Sequence, residues 1–279
     1  HPSEESACYT HTLATASRML YGYRPNILKP GQNVLVWGAS GGLGVFAIQL
    51  CAVSGANAIG VVSDDSKVDY VLSMGAKGVI NRKNFNCWGQ LPKVNGPDYN
   101  DYMKETRKFG KAIWEFTGGK EVDIVFEHPG ESTFPVSVFV TKRGGMIVIC
   151  AGTTGFNLTM DARFLWMRQK RVQGSHFANL AQASAANQLV IERRIDPCMS
   201  EVFSWNQIPM AHEKMLDNAH LPGNMAVLVS SPRPGRRPAE DVLVAGGQGY
   251  ARRFSTNFAK KRLGGVQGAP HGHDERLSP

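Results

Sequence analysis

Four glycines at positions 38, 41, 42 and 44, inside the run VLVWGASGGLGVFAIQL, are the residues whose spacing speaks most directly of chemistry. A β-rich run ends at Gly38, and an apolar helical stretch begins as soon as the glycines stop. A phosphate group approaches backbone N–H groups at a helix N-terminus, and a Cβ at these positions would stand in its way. Gly44 also lets the helix lie close on the strand it leaves. Glycine turns are common; the order strand, loop, helix is what makes this one an expected pyrophosphate cradle. The candidate dinucleotide contacts are therefore Gly38, Ser40, Gly41, Gly42, Leu43 and Gly44.

The end of the next strand bears on which dinucleotide fits. A chain selecting NAD carries an acid there for the ribose 2′-hydroxyl. Here the strand AIGVV ends at Val62 and is followed by Ser63, with Lys67 one turn later and Arg82 after the third strand. A hydroxyl and two cations suit a 2′-phosphate, so the expected cofactor is NADPH. Asp64 and Asp65 are discordant with that choice and are read as caps of the following helix.

His128 ends a further strand, followed by the turn residues Pro129 and Gly130. Ligands of such folds bind at the carboxyl ends of the strands, where an imidazole can meet them; a turn histidine with no ligand is the plainer alternative. Ala151, Gly152 and Thr153 end the next strand and are expected to line the nicotinamide, with Ser175 and His176 near its carboxamide. Glu127 is read as structural, and His176 as equally suited to packing. Arg107, Lys108 and Lys111 share a basic helix whose charges suit phosphates and a solvated face alike.

Positioning these residues requires alternating strands and helices. Strands are expected at 33–37, 58–62, 78–81, 122–126, 146–151 and 171–174. Helices are expected at 42–54, 66–74, 101–116 and 180–192, with one more at 207–218 and a closing strand at 223–229. This alternation predicts an α/β, doubly wound parallel sheet of the Rossmann kind, with helices on both faces.

Composition narrows the class. The chain has 279 residues, 42% of them hydrophobic, enough for a substantial core, and no apolar run long enough to span a membrane. The net charge of +8 suggests nucleic acid, but residues 233–279 hold nine Lys and Arg against four Asp and Glu, so +5 of the excess lies in a Pro-, Gly- and Arg-rich tail expected to be disordered. Neither nucleic acid nor membrane is an expected partner. Five scattered cysteines with no CxxC pair indicate buried thiols in a reducing, cytoplasmic setting. The first residues lack a signal-peptide core and an initiator Met, and the chain is expected to begin part-way through a longer protein.

The segments LATASRML, GASGGLG, VVSDDSKVDYVLSMGA, GGMIVICAGTTG and GSHFAN resemble medium-chain dehydrogenase/reductases of the quinone-reductase type. HTLATASRMLYG, NVLVWGASGGLG, VDIVFEHPGESTF and FLWMRQKRVQGSHFAN are similar to one branch, the crotonyl-CoA carboxylase/reductases, over about residues 4–232. The resemblance implies a truncated two-domain arrangement: a connecting segment at 1–30 with a helix near 12–20, an NADP-binding domain at 31–200, and a return at 201–232 to a GroES-like catalytic domain otherwise missing. It implies reductive carboxylation, in which NADPH reduces crotonyl-CoA at the β-carbon and the resulting enolate captures CO2 to give ethylmalonyl-CoA. The histidine of FEHPG, His128, would help hold CO2 through a water. No metal ligand is assigned, since the zinc-binding members carry theirs in the other domain. Related reductases pair through an edge strand, which implies a homo-oligomer, dimer or tetramer. Two other readings stay open: an enoyl-CoA or quinone reductase that transfers hydride only, and an NADPH-binding module inactive by itself.

Overall fold

The computed structural model describes residues 3–229. The expected disordered tail lies outside them. The centre is a six-stranded sheet in the order β3-β2-β1-β4-β5-β6, every neighbouring pair parallel. Its strands are β1 (Asn33–Val36), β2 (Asn57–Val62), β3 (Gly78–Asn81), β4 (Val122–Glu127), β5 (Thr141–Ile149) and β6 (Arg171–Gly174). The order reverses between β1 and β4, which opens a crevice at their carboxyl ends.

Alternation along the strands builds two cores. Val34 and Val36 face one side with α1 (Ser3–Tyr21), α2 (Gly44–Val53) and α7 (Leu180–Ile191). Leu35 and Trp37 face the other with α4 (Tyr99–Thr117) and α5 (Phe134–Val140). Buried on both faces, the strands read as near-continuous apolar runs. Helix α2 lies almost entirely in the interior, with eight of its ten residues buried, so it shows no polar stripe. By contrast α4 is amphipathic, burying Tyr102, Phe109 and Ile113 while its basic residues face outward.

Several boundaries differ from expectation. The expected helix at 66–74 is a 3-10 turn (Asp65–Lys67) followed by α3 (Val68–Ser73). Strand β5 starts at Thr141, earlier than 146, and crosses Gly144 at φ 70°, a conformation glycine adopts without strain. Strand β7 (Met199–Ser204) escapes the sequence reading, because its buried positions are separated by Glu201 and partly exposed neighbours. It pairs in parallel with β8 (Asn224–Leu228) across α8 (Ile208–Leu216). The boundary expected between 200 and 201 therefore falls inside β7. The short helix α6 (Ala162–Trp166), capped by the Asp161 side chain, completes the set.

Candidate functional site

The glycine loop leaves β1 between its two neighbours. Trp37 N–H donates to Phe126 O of β4 at 3.2 Å, and Ala39 N–H donates to Val61 O of β2 at 3.0 Å. Gly38 turns at φ 55°, and Gly41 N–H closes back on its carbonyl at 2.9 Å. Crowding explains the other glycines. A Cβ on Gly44 would stand 2.3 Å from Gly38 O, and one on Gly42 would stand 2.1 Å from Asn224 Oδ1. Helix α2 begins at Gly44 with no side chain capping it, so its first N–H groups are not taken by a cap. A backbone held this close and free of side chains fits the pyrophosphate of a dinucleotide. Ser40 is buried in the same turn, and Leu43 is the uncapped N-cap position itself.

The sequence reading missed what supports the loop from behind. Gly223 N–H donates to Ser40 O at 3.1 Å, Gly41 and Gly223 form an isolated bridge, and Asn224 Nδ2 donates to Gly42 O at 3.3 Å. Contacts this distant in sequence leave no local signal.

Ser63 and Arg82 follow Val62 and Asn81, which are register partners, so they emerge side by side at the carboxyl edge. Lys67 reaches Asn218 Oδ1 at 3.4 Å. Asp64 caps Ser66 N–H at 3.1 Å, as the cap reading expects, and pairs with Lys83 at 2.9 Å. The hydrogen bond from Lys83 is the main reason its carboxyl sits low, at about 2. Asp65 accepts from Asn81 Nδ2 at 2.8 Å. Both acids are thus engaged, and Lys83 is a cation at this edge that the sequence reading overlooked.

His128 sits directly beneath the loop. Its Nε2 lies 3.1 Å from Trp37 O, and a Cβ on Gly38 would come within 2.6 Å of that nitrogen. A carbonyl only accepts, so Nε2 carries the hydrogen and Nδ1 of the neutral ring is an acceptor. Burial holds the imidazole below its ordinary 6.5, opposed by the bond to Trp37. The neutral form is therefore the resting one. Next to it Glu127 is fully buried and accepts from Ser137 Oγ, from Thr133 Oγ1 at 2.8 Å and from Gly130 N–H at 3.1 Å. Burial nevertheless pushes its carboxyl up to about 7. Ser137 also receives the Trp37 indole N–H at 2.8 Å, so Glu127, Ser137 and Trp37 form one buried chain under the histidine.

The segment after β5 lies against the same turn. Thr153 N–H donates to His128 O at 3.2 Å, and Thr154 N–H donates to Pro129 O at 2.8 Å. This brings Ala151 and Gly152, expected near the nicotinamide, beside His128. Ser175 is buried and receives the Tyr23 hydroxyl at 3.0 Å, whereas His176 is exposed and stacks edge-on with Phe177. Arg107 and Lys111 lie elsewhere, on a cavity at the far end of the sheet, and Lys108 pairs with Glu105. Among the described residues no group of three or more His, Cys, Asp and Glu is placed to hold a metal ion. No helix there is long and apolar enough to cross a membrane.

A six-stranded parallel sheet with a glycine loop at its switch point defines a Rossmann-type dinucleotide-binding domain. Residues 42–192 match the family model described as zinc-binding dehydrogenase, and the chain belongs to that family. It is 71% identical over 244 residues to crotonyl-CoA carboxylase/reductase of Cereibacter sphaeroides, an alignment covering 87% of this chain and 57% of that protein. It is 44% identical over 234 residues to crotonyl-CoA reductase of Streptomyces avermitilis, covering 83% of this chain and 51% of that one. The solved structure of the crotonyl-CoA carboxylase/reductase AntE in complex with NADP superposes with a TM-score of 0.80 at 43% identity, covering 82% of this chain and 57% of that chain. The chain thus spans a little over half the length of the curated relatives it matches.

Proposed function

We propose that this chain is the NADP(H)-binding part of an enzyme that reductively carboxylates a short 2-enoyl-CoA, converting crotonyl-CoA and CO2 to ethylmalonyl-CoA. The observation that carries the reading is the tethered, neutral His128 at the lip of the glycine loop. When bound, NADPH supplies the hydride for the β-carbon of the enoyl thioester. Gly38, Ser40, Gly41, Gly42, Leu43 and Gly44 hold its pyrophosphate. Ser63, Lys67 and Arg82, with Lys83 neutralising Asp64, receive the 2′-phosphate. Ala151, Gly152 and Ser175 border the nicotinamide.

His128 then acts on the second substrate. With Nε2–H committed to Trp37, Nδ1 takes one hydrogen of a water whose other hydrogen is free for a CO2 oxygen. A neutral ring is required, because an imidazolium would be a proton source beside a carbanion. Protonation of the enolate would give plain reduction, so a site that keeps acids and bulk water away favours carbon–carbon bond formation. The Glu127–Ser137–Trp37 chain anchors the residue whose carbonyl holds the ring, and burial keeps the ring neutral.

We assign residues 31–200 to the cofactor domain, and 1–30 and 201–232 to the connection and return to a catalytic domain. We further assign homo-oligomer formation to the edge strand β6, near which Trp166, Met167 and Val172 are exposed. The test replaces the matching segment of the Cereibacter relative with residues 3–229 and supplies crotonyl-CoA, NADPH and labelled bicarbonate. Label is expected in an acid-stable product, and His128→Ala is expected to shift the product toward the unlabelled acyl-CoA. If NADPH is consumed and label never enters product, the chain serves a reductase and the carboxylation reading fails.

A further inference from the structure

At the other end of the sheet, α4, α5 and α6 enclose a cavity of about 300 Å³. Glu121, Val140 and Lys170 line it, and these are the residues immediately before β4, β5 and β6. The strands are parallel, so the cavity lies at their amino ends while the glycine loop and His128 lie at their carboxyl ends. The six residues of β4 alone hold Glu121 and His128 roughly 20 Å apart. The cavity is therefore no part of the site already described.

Its chemistry is specific. Arg107 and Lys111 lie one turn apart on α4 and face Arg168 and Lys170, with Glu121 as the single acid. Lys170 is only 9% exposed, and its Nζ donates to Val138 O at 2.6 Å and Phe139 O at 3.1 Å. Those carbonyls end α5, so the ammonium is fixed in place with one of its three donors still uncommitted to them. No carboxylate within ion-pair distance of it is found among the described residues. Burial pushes its pKa down to about 8, Glu121 opposing that fall and Arg168 adding to it. The walls are apolar and aromatic: Trp114 is 44% exposed, and Phe139 meets Phe164 edge-on at 5.2 Å.

Gly110 is a second, independent sign. It sits in the middle of α4, where glycine weakens a helix. A Cβ there would meet only Phe139 Cε1, at 3.9 Å, an ordinary contact. Packing does not demand glycine at this position; what the missing side chain provides is open volume in the cavity.

We propose that this cavity binds a phosphorylated anion bearing one amino-substituted planar ring, of mononucleotide size, independently of the dinucleotide. Guanidinium groups and a fixed ammonium suit a phosphate, the aromatic walls suit a ring, and Glu121 accepts from an amino group on it. A volume of this size takes one such unit and no more.

The test titrates the 279-residue chain with 5′-AMP while NADP+ saturates the cofactor loop, following heat and tryptophan fluorescence. Binding is expected, with adenosine and ribose 5-phosphate each at least about tenfold weaker. Gly110→Leu, which fills the void and leaves every charge in place, is expected to abolish it, and Arg168→Gln to weaken it about tenfold. NADP+ affinity should not change in either variant, which shows that both fold. Affinity should also fall as pH rises through 8, where Lys170 loses its charge. Failure of 5′-AMP to bind under saturating NADP+, equal binding of adenosine, or unchanged binding in a folded Gly110→Leu variant each overturns the proposal.

Discussion

Replacing Gly38 with alanine puts a methyl group where the ring of His128 already stands. The new Cβ would lie 2.6 Å from Nε2 and 2.9 Å from Cε1, against ordinary contacts that begin near 3.4 Å. Ring or loop must therefore retreat by nearly an ångström, and either movement breaks the 3.1 Å bond to Trp37 O. Two costs add. Alanine at φ 55° loses about 1–2 kcal/mol from backbone sterics alone. The overpacked ring and its lost buried hydrogen bond cost about 1–2 kcal/mol more. In a His128→Ala background the methyl has room, and only the backbone cost survives. A double-mutant cycle read by urea unfolding of the chain should therefore show a coupling of about 1–2 kcal/mol, with Gly38→Ala the less damaging in the absence of the ring. If Gly38→Ala costs the same in both backgrounds to within about 0.5 kcal/mol, the two residues do not touch and the tethered-ring argument collapses.

Glu127 makes a pH-dependent claim. The folded chain keeps its proton up to about 7 and the unfolded chain releases it near 4.5, so stability present below 4.5 is lost as pH rises through 7. Relative to Glu127→Gln, the natural chain should lose on the order of 3 kcal/mol across that window, measured as urea midpoints at several pH values; parallel profiles would refute it. Lys83→Met should free the charge of Asp64 beside the proposed 2′-phosphate subsite. NADPH should then bind several-fold more weakly while NADH is little affected, the more so at low salt; equal loss for both cofactors would show that Lys83 serves the fold alone.

The sheet was legible because each of its strands is a local event. Short β-branched runs bounded by glycine or polar turns declare themselves within a few residues, and the GASGGLG loop adds its own punctuation. The extent of α1 and the whole of β7 were not so declared. Helix α1 buries Leu13, Ala16, Met19 and Leu20 against elements far along the chain, and β7 earns its pairing only from β8. The candidate site divides in the same way. Gly38, Gly42 and Gly44 could be read from the need for bare backbone, although what would collide with a Cβ at Gly42 is Asn224, far along the sequence. His128 was visible as a strand-end imidazole, but the partner that decides its tautomer is a main-chain carbonyl, and carbonyls have no letter in a sequence. Lys83 was missed because its effect is to cancel Asp64, and cancellation needs two side chains in space.

The hydrogen bond from Asn224 to Gly42 spans 182 positions of chain. During synthesis the glycine loop emerges with the strand and helix that define it, well before β8, which supports it from the rear. Domains fold broadly from the amino end as they are made. The phosphate cradle should accordingly be the last part of this domain to set, and a nascent chain halted before residue 223 should hold most of its sheet while lacking a firm grip on its cofactor.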